Sequence, residues 1–283
     1  MKNELVILII SHGRPNNVIT FETIRKAGNT LPVYIVIDNT DKTISEYKDK
    51  FGDKVIVFDK ESIALTTDHG DNFWNLRTTT HARNACFKIA KDLGYTYFLV
   101  LDDDYTSFKL RINNDLIHPK SCPNLTKSID KVFLDTLEYF KQCNFKSICF
   151  SQGGDWFGGE SNFNKKPKRK AMNSWFCSVD RPFKFISRLN EDVNTYMTLG
   201  NIGDVFLTIP FVQLDQVQTQ KTKGGMTEAY IDGGTYVKSF YTVMYGPSYT
   251  KVITMGRSNR RLHHHISWDN AVPCIIDESY KKK

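Results

Sequence analysis

No apolar run in this 283-residue chain approaches the roughly 20 residues a membrane helix needs, so no membrane partner is expected. The six cysteines (Cys86, Cys122, Cys143, Cys149, Cys177 and Cys274) form no CxxC pair. That spacing disfavours structural zinc and a disulfide framework, and it points to a reducing cytoplasm and to oxygen ligands for any metal. Neither a GxxxxGK(S/T) loop nor a GxGxxG turn occurs, which argues against a P-loop ATPase and a dinucleotide enzyme. A GxSxG elbow is also missing, and no Cys/His pairing suggests a nucleophile. The first ten residues, "MKNELVILII", enter a strand-like run without a small-residue cleavage site, so no secretory signal is expected. There is no internal repeat and no clear linker.

The remainder is ordinary for a globular protein: 40% hydrophobic, 24% charged, net charge +7 and pI near 8.9. The mild average hides a local excess. From Lys165 to Arg188 the basic residues are Lys165, Lys166, Lys168, Arg169, Lys170, Arg181, Lys184 and Arg188, against Asp180 alone. Such a run fits either a polyanion-binding surface or a solvated loop.

Periodicity assigns the first 110 residues to alternating strands and helices. "ELVILII" (4–10), "PVYIVID" (32–38), "KVIVFD" (54–59) and the apolar run from 95 to 101 read as strands. A helix within 14–30 carries Val18, Ile19, Ile24 and Ala27 in register. A second, over 80–94, places Ala82, Cys86, Ile89, Ala90 and Leu93 on one face. This order predicts a three-layer α/β domain with a largely parallel sheet. A further helix is expected over 127–143, a strand at 146–151, a mobile loop over about 152–175, and short strands at 204–212, 235–245 and 251–255. The chain reads as one domain, 1–283.

Ligands on such sheets bind beyond the carboxyl ends of the strands. "SHGRP", Asp38-Asn39, Asp59 and Asp102-Asp103-Asp104 all fall there. Three adjacent carboxylates repel one another unless a positive partner is present. Asp102 and Asp104 have the spacing to share Mn²⁺ or Mg²⁺ with a diphosphate, and a bound cation would supply that partner; a merely solvated loop is the alternative. Glu191-Asp192 is either a favourable acidic pair at a helix start or a general base. "RRLHHHISW" (260–268) offers histidines for a metal and arginines for phosphate, or it is a strand exposing alternate histidines.

Taken together, "ISHGRPNNV", "THARNAC", "FLVLDDDY", "KAMNSWFCSVDRPFKFISRLNEDVNTY", "GGMTEAYIDGGTYVKSFYTVMY" and "HHHISW" resemble a GT-A glycosyltransferase. More closely they resemble the TET-associated glycosyltransferases of phages and mobile elements, which modify hydroxymethylated pyrimidines in DNA. The resemblance implies a GT-A-like, Rossmann-type α/β/α sandwich with a C-terminal mixed acceptor-side region. Residues 1–110 would be its nucleotide-sugar-binding half and 111–283 its acceptor-binding half. It implies a UDP-sugar donor, Mn²⁺ or Mg²⁺, and double-stranded DNA bearing 5-hydroxymethylcytosine, or a sugar already on it, in the cytoplasm of an infected bacterial host. His12, Arg14 and Asp38 would lie near nucleobase and ribose, with Arg83 and Asn84 at the diphosphate. Asp102 and Asp103 would meet the nucleotide-sugar, Asp104 and Asp102 the metal, with His264 as the preferred histidine ligand and His263 next. Asp192, beside Glu191, would be the base if the reaction inverts the anomeric centre. Lys165, Lys166, Lys168, Arg169 and Lys170 would hold DNA phosphates while Trp156, Phe157 or Trp175 stacks near the target base. The rivals are a GT-A enzyme acting on a polysaccharide or protein and a non-catalytic DNA-binding module.

Overall fold

A computed structural model describes residues 4–112, 124–125, 127–156, 170–217, 227–256, 260–272 and 276–280. The four strands expected first are present: β1 (Leu5–Ile10), β2 (Val33–Asp38), β3 (Val55–Phe58) and β4 (Tyr97–Asp102). They join β5 (Tyr105–Leu110), β6 (Ser147–Gln152), β7 (Ser174–Ser178) and β8 (Phe206–Gln216) in one eight-stranded sheet, ordered β3-β2-β1-β4-β7-β6-β8-β5. β1 to β4 run parallel to one another, whereas β7 and β5 pair antiparallel with their neighbours. The sheet therefore draws strands from both halves of the chain.

Alternation along the strands builds two cores, because successive side chains point to opposite faces. On one face Leu5, Ile7, Ile9, Ile35, Ile37, Leu99 and Leu101 pack with helices α1 (Ile19–Lys26), α2 (Ile44–Phe51) and α5 (Ile129–Gln142). Val6, Leu8, Ile10, Phe98 and Val100 face the other way. They meet α4 (Thr80–Asp92) and α6 (Glu191–Asn201), while the short α3 (Lys60–Ala64) precedes α4 in the chain. Both faces of the sheet are thus covered, and the three-layer α/β expectation is borne out. No helix among the described residues is long and apolar enough to cross a membrane.

The stretch 235–245, expected as a strand, is instead part of helix α7 (Thr227–Tyr245). Its aromatic and β-branched content suggested a strand, but Tyr241 is buried against Val237 four residues earlier, which is helical spacing. A separate hairpin of β9 (Thr250–Met255) and β10 (Arg261–Ile266) packs on α7, and the short α8 (Trp268–Ala271) follows it. The strand alternative for "RRLHHHISW" is therefore what folds. The loop expected over 152–175 is structured at both ends. A 3₁₀ turn covers Gly153–Trp156 and β7 begins at Ser174, while residues 157–169 lie outside the described residues.

Register fixes where the polar residues gather. Ile10 pairs with Asp102, and Asp38 with Phe58. The tips of β1, β2 and β4 therefore end at one level. α4 runs back from that edge toward the start of β4, so its first turn, Thr80 to Arg83, lies at the same end.

Candidate active site at the carboxyl edge of the sheet

The turn after β4 is fastened by α1. Thr20 donates its hydroxyl to the Asp102 carbonyl (2.6 Å), accepts from the Tyr105 amide (2.8 Å), and donates its own amide to the Asp103 carbonyl (3.1 Å). With the backbone held, the three carboxylates go to different fates. Asp103 is buried, ion-paired with Arg14 (2.7 Å) and hydrogen-bonded by the Ser11 hydroxyl. Asp102 is ion-paired with Arg83 (3.1 Å). Asp104 makes no ion pair among the described residues, and burial, then Asp102 and Asp103, push its pKa up to about 7. The positive partner that the sequence demands is thus partly protein: two arginines serve Asp102 and Asp103. Burial still raises both, Asp103 to about 6.

Arg83 reaches a second carboxylate, Glu191, at 3.0 Å, and Glu191 also receives the Thr79 hydroxyl. One buried guanidinium therefore joins the β4 tip to the start of α6. Arg83 and Asn84, expected at a diphosphate, are both engaged within the protein. Arg83 is spent on Asp102 and Glu191, and it lies beside the faces of Trp175 and Phe185. Asn84 binds both backbone groups of Phe185, at 2.9 and 2.8 Å. Arg83 is buried on α4 and Asn84 half-buried.

With Glu191 neutralised, Asp192 remains the carboxylate of the pair without an ion pair among the described residues. Burial and then the Glu191 charge raise its pKa to about 6, and its carboxylate accepts from the Val193 amide. At the β1 and β2 tips, His12 Nδ1 meets Asp38 at 2.8 Å, and Lys60 meets the same carboxylate at 3.1 Å. These partners, with Thr40, hold Asp38 well below the usual carboxylate range although burial pulls the other way. Gly13, at φ +66°, donates its amide to Asp41 (2.7 Å), closing the loop against β2. Asp59 leaves the site: it caps α3, accepting from the amides of Glu61 and Ser62.

The histidines come from the hairpin. Asn190, buried with φ +55°, donates its side-chain amide to the Lys238 carbonyl (3.0 Å) and Thr242 (3.0 Å), and the same nitrogen lies 3.2 Å from His264 Nδ1. Burial keeps His264 neutral, its pKa lowered to about 3. His263 donates Nδ1–H to the His264 carbonyl (2.7 Å), which leaves a lone pair on Nε2. Among the described residues no three His, Cys, Asp or Glu side chains form a ready ligand set, so these histidines and the aspartates are not brought together as one.

Of the residues expected to meet DNA, Lys165, Lys166, Lys168 and Arg169 lie outside the described residues. Lys170 pairs with Asp155 at 2.5 Å. Trp175 is fully buried between β4 and β6 among Phe183, Phe185 and Phe206, so it cannot stack on a base. Sequence reasoning missed Lys60, Asp41 and Asn190. Asn190 had a signal, since Asn is among the residues that most readily adopt a left-handed conformation before a helix. The other two are brought in by parallel strand pairing alone.

With this geometry in place, comparison with known proteins gives the class. The model of the TET-Associated Glycosyltransferase family matches residues 5–225. The chain belongs to that family and is a glycosyltransferase. No curated protein matches it. Among solved structures it is similar to glucosyl-3-phosphoglycerate synthase from Mycobacterium tuberculosis in complex with Mg²⁺ and uridine-diphosphate. The identity there is 8% and the TM-score 0.48, covering 93% of this chain and 87% of that one. It is also similar to a mannosyltransferase from Pyrobaculum calidifontis in complex with GDP-Man and Mn²⁺. That pair has 10% identity and a TM-score of 0.46, over 81% and 60% of the two chains.

Proposed function

We propose that the protein is a GT-A-type transferase that moves a sugar from a UDP-sugar to a hydroxymethylated pyrimidine, of the 5-hydroxymethylcytosine kind, in phage DNA. The observation that carries the reading is the sorting of carboxylates at the sheet edge. Asp102, Asp103 and Glu191 are ion-paired with arginines, while Asp104 and Asp192, with pKa values raised to about 7 and about 6, make no ion pair among the described residues. Strongly perturbed acids at a ligand-binding edge mark working groups.

Asp104 fits a hard divalent cation: it is an oxygen donor crowded by two like charges and short of a positive one. Asp104 and Asp102 would hold Mn²⁺ or Mg²⁺. Bound there, the ion offsets the charge that develops on a departing nucleoside diphosphate. Asp192 takes the proton from the acceptor hydroxyl; a pKa near 6 leaves it ionised at neutral pH yet basic enough to accept. Glu191, locked by Arg83 and Thr79, raises that basicity without competing for the proton. Asp38 orients His12 through Nδ1, so that Nε2 of the half-exposed ring is left for a nucleobase edge.

Incubating the protein with hydroxymethylcytosine duplex, Mn²⁺ and a panel of UDP-sugars, then digesting to nucleosides, tests this by mass spectrometry. A hexose or pentose added to the modified nucleoside is expected. Addition to polysaccharide or protein acceptors only, or DNA binding with no UDP-sugar turnover, overturns it.

A further inference from the structure

The segment between α3 and α4 carries two large aromatic side chains in the open: Phe73 is 79% exposed and Trp74 51%. Neither is needed by the chemistry above, and exposing such surface works against folding. The segment is nonetheless fixed. At its base Asp68 and His69 accept from the amides of Ser187 (2.7 Å) and Arg188 (3.0 Å). Asp71 is ion-paired with Arg188 (2.9 Å), receives the Tyr241 hydroxyl, and accepts the Phe73 amide (3.0 Å). Trp74 sits at φ +51°, a conformation a bulky residue rarely adopts, with its indole edge-on to His69 at 6.1 Å between ring centroids. His69 in turn meets the buried His81 of α4 at 2.7 Å. The aromatic tip is thus braced from below and bare above.

Its position ties it to the acceptor side. The same segment ends at Thr79, whose hydroxyl donates to Glu191, the neighbour of Asp192. The exposed Arg77 and Lys184 flank it, Lys184 through its ammonium on the Thr66 carbonyl (3.2 Å). The chain as a whole is basic at +7. Flat π surfaces with Arg77 and Lys184 beside the segment, and Asp68 as its exposed acid, suit a polyanion with stacked rings.

The geometry points to Phe73 and Trp74 as a stacking platform for a nucleobase of the DNA acceptor, next to the nucleotide that receives the sugar. This rests on the acceptor reading proposed above and adds the element that holds the DNA base. Rigidity of the tip matters here, because a preorganised ring loses little entropy when a base lands on it.

The test compares wild type, F73A/W74A and W74Y by titrating a 2-aminopurine-labelled hydroxymethylcytosine duplex without donor, and by the KM values for DNA and for UDP-sugar during transfer. Loss of a stacked base predicts that F73A/W74A raises both the duplex Kd and the DNA KM about tenfold or more. W74Y stays within about threefold, and the donor KM and the melting temperature hold. An unchanged duplex Kd in F73A/W74A overturns the inference. So does a defect confined to oligosaccharide acceptors, or one confined to a concentration-dependent dimer. Wild-type protein that transfers no sugar to the duplex, yet binds it through Trp74, sinks the acceptor reading and upholds the platform.

Discussion

Two groups of acids at one sheet edge behave in opposite ways. Around Arg83, Asp102 and Glu191 are drawn together across the molecule by a single buried guanidinium, and the result is a rivet between β4 and α6. Within two residues of each stands an acid, Asp104 or Asp192, with a raised pKa and no such pairing among the described residues. Near neighbours in sequence thus hold the site together and leave it reactive. The lesson is that neutralised carboxylates supply the frame while the strained ones are kept for ligand and proton.

The sharpest way to test the reactive group is Asp192→Asn, which removes the base and preserves shape. Transfer is expected to fall about 10²- to 10⁴-fold in kcat, measured under saturating donor and acceptor. In the wild type, kcat should rise with pH through about 6 and level off, since the carboxylate works only when ionised.

Arg83→Met breaks the frame instead. It strands two carboxylates in a buried setting, and a loss of about 3–5 kcal/mol is expected in chemical denaturation. A variant that keeps full stability and loses only donor affinity would return Arg83 to the diphosphate.

Asp104→Asn should act in the opposite direction on stability. A carboxyl with a folded-state pKa above its unfolded value of about 4 binds its proton more tightly when folded. Its contribution is fully present below pH 4 and is lost as pH rises through about 7. Replacing it with Asn should therefore raise the melting temperature in EDTA at pH 8, on the order of a few degrees, with no gain at pH 4. Added Mn²⁺ should reverse the order by stabilising the wild type and not the variant. The smallest effect is expected from His12→Ala: a several-fold rise in donor KM with unchanged stability, because the ring is half exposed while Asp38 retains Lys60.

Legibility followed the same division. Strands β1 to β4, the two amphipathic helices between and beside them, and the convergence of polar residues at one edge were all readable, since each follows from local periodicity. The helix over Thr227–Tyr245 was not, because aromatic and β-branched residues suit either element until Tyr241 meets Val237. Trp175 looked like a DNA-facing aromatic beside a basic run, but β7 runs through the middle of the sheet, and a central strand has no exposed face.

By itself, then, the sequence determined the α/β layering, the site edge and the identity of the acids, because hydrophobic period and strand-end chemistry are encoded within short windows. Only the tertiary structure decided which acids are paired, which histidine is held neutral by burial, and which aromatics reach solvent. Those outcomes depend on Arg83, Asn190 and the segment before α4 meeting residues at separations that reach 170 positions. Electrostatic and steric partners at that range are set by packing, which no local pattern carries.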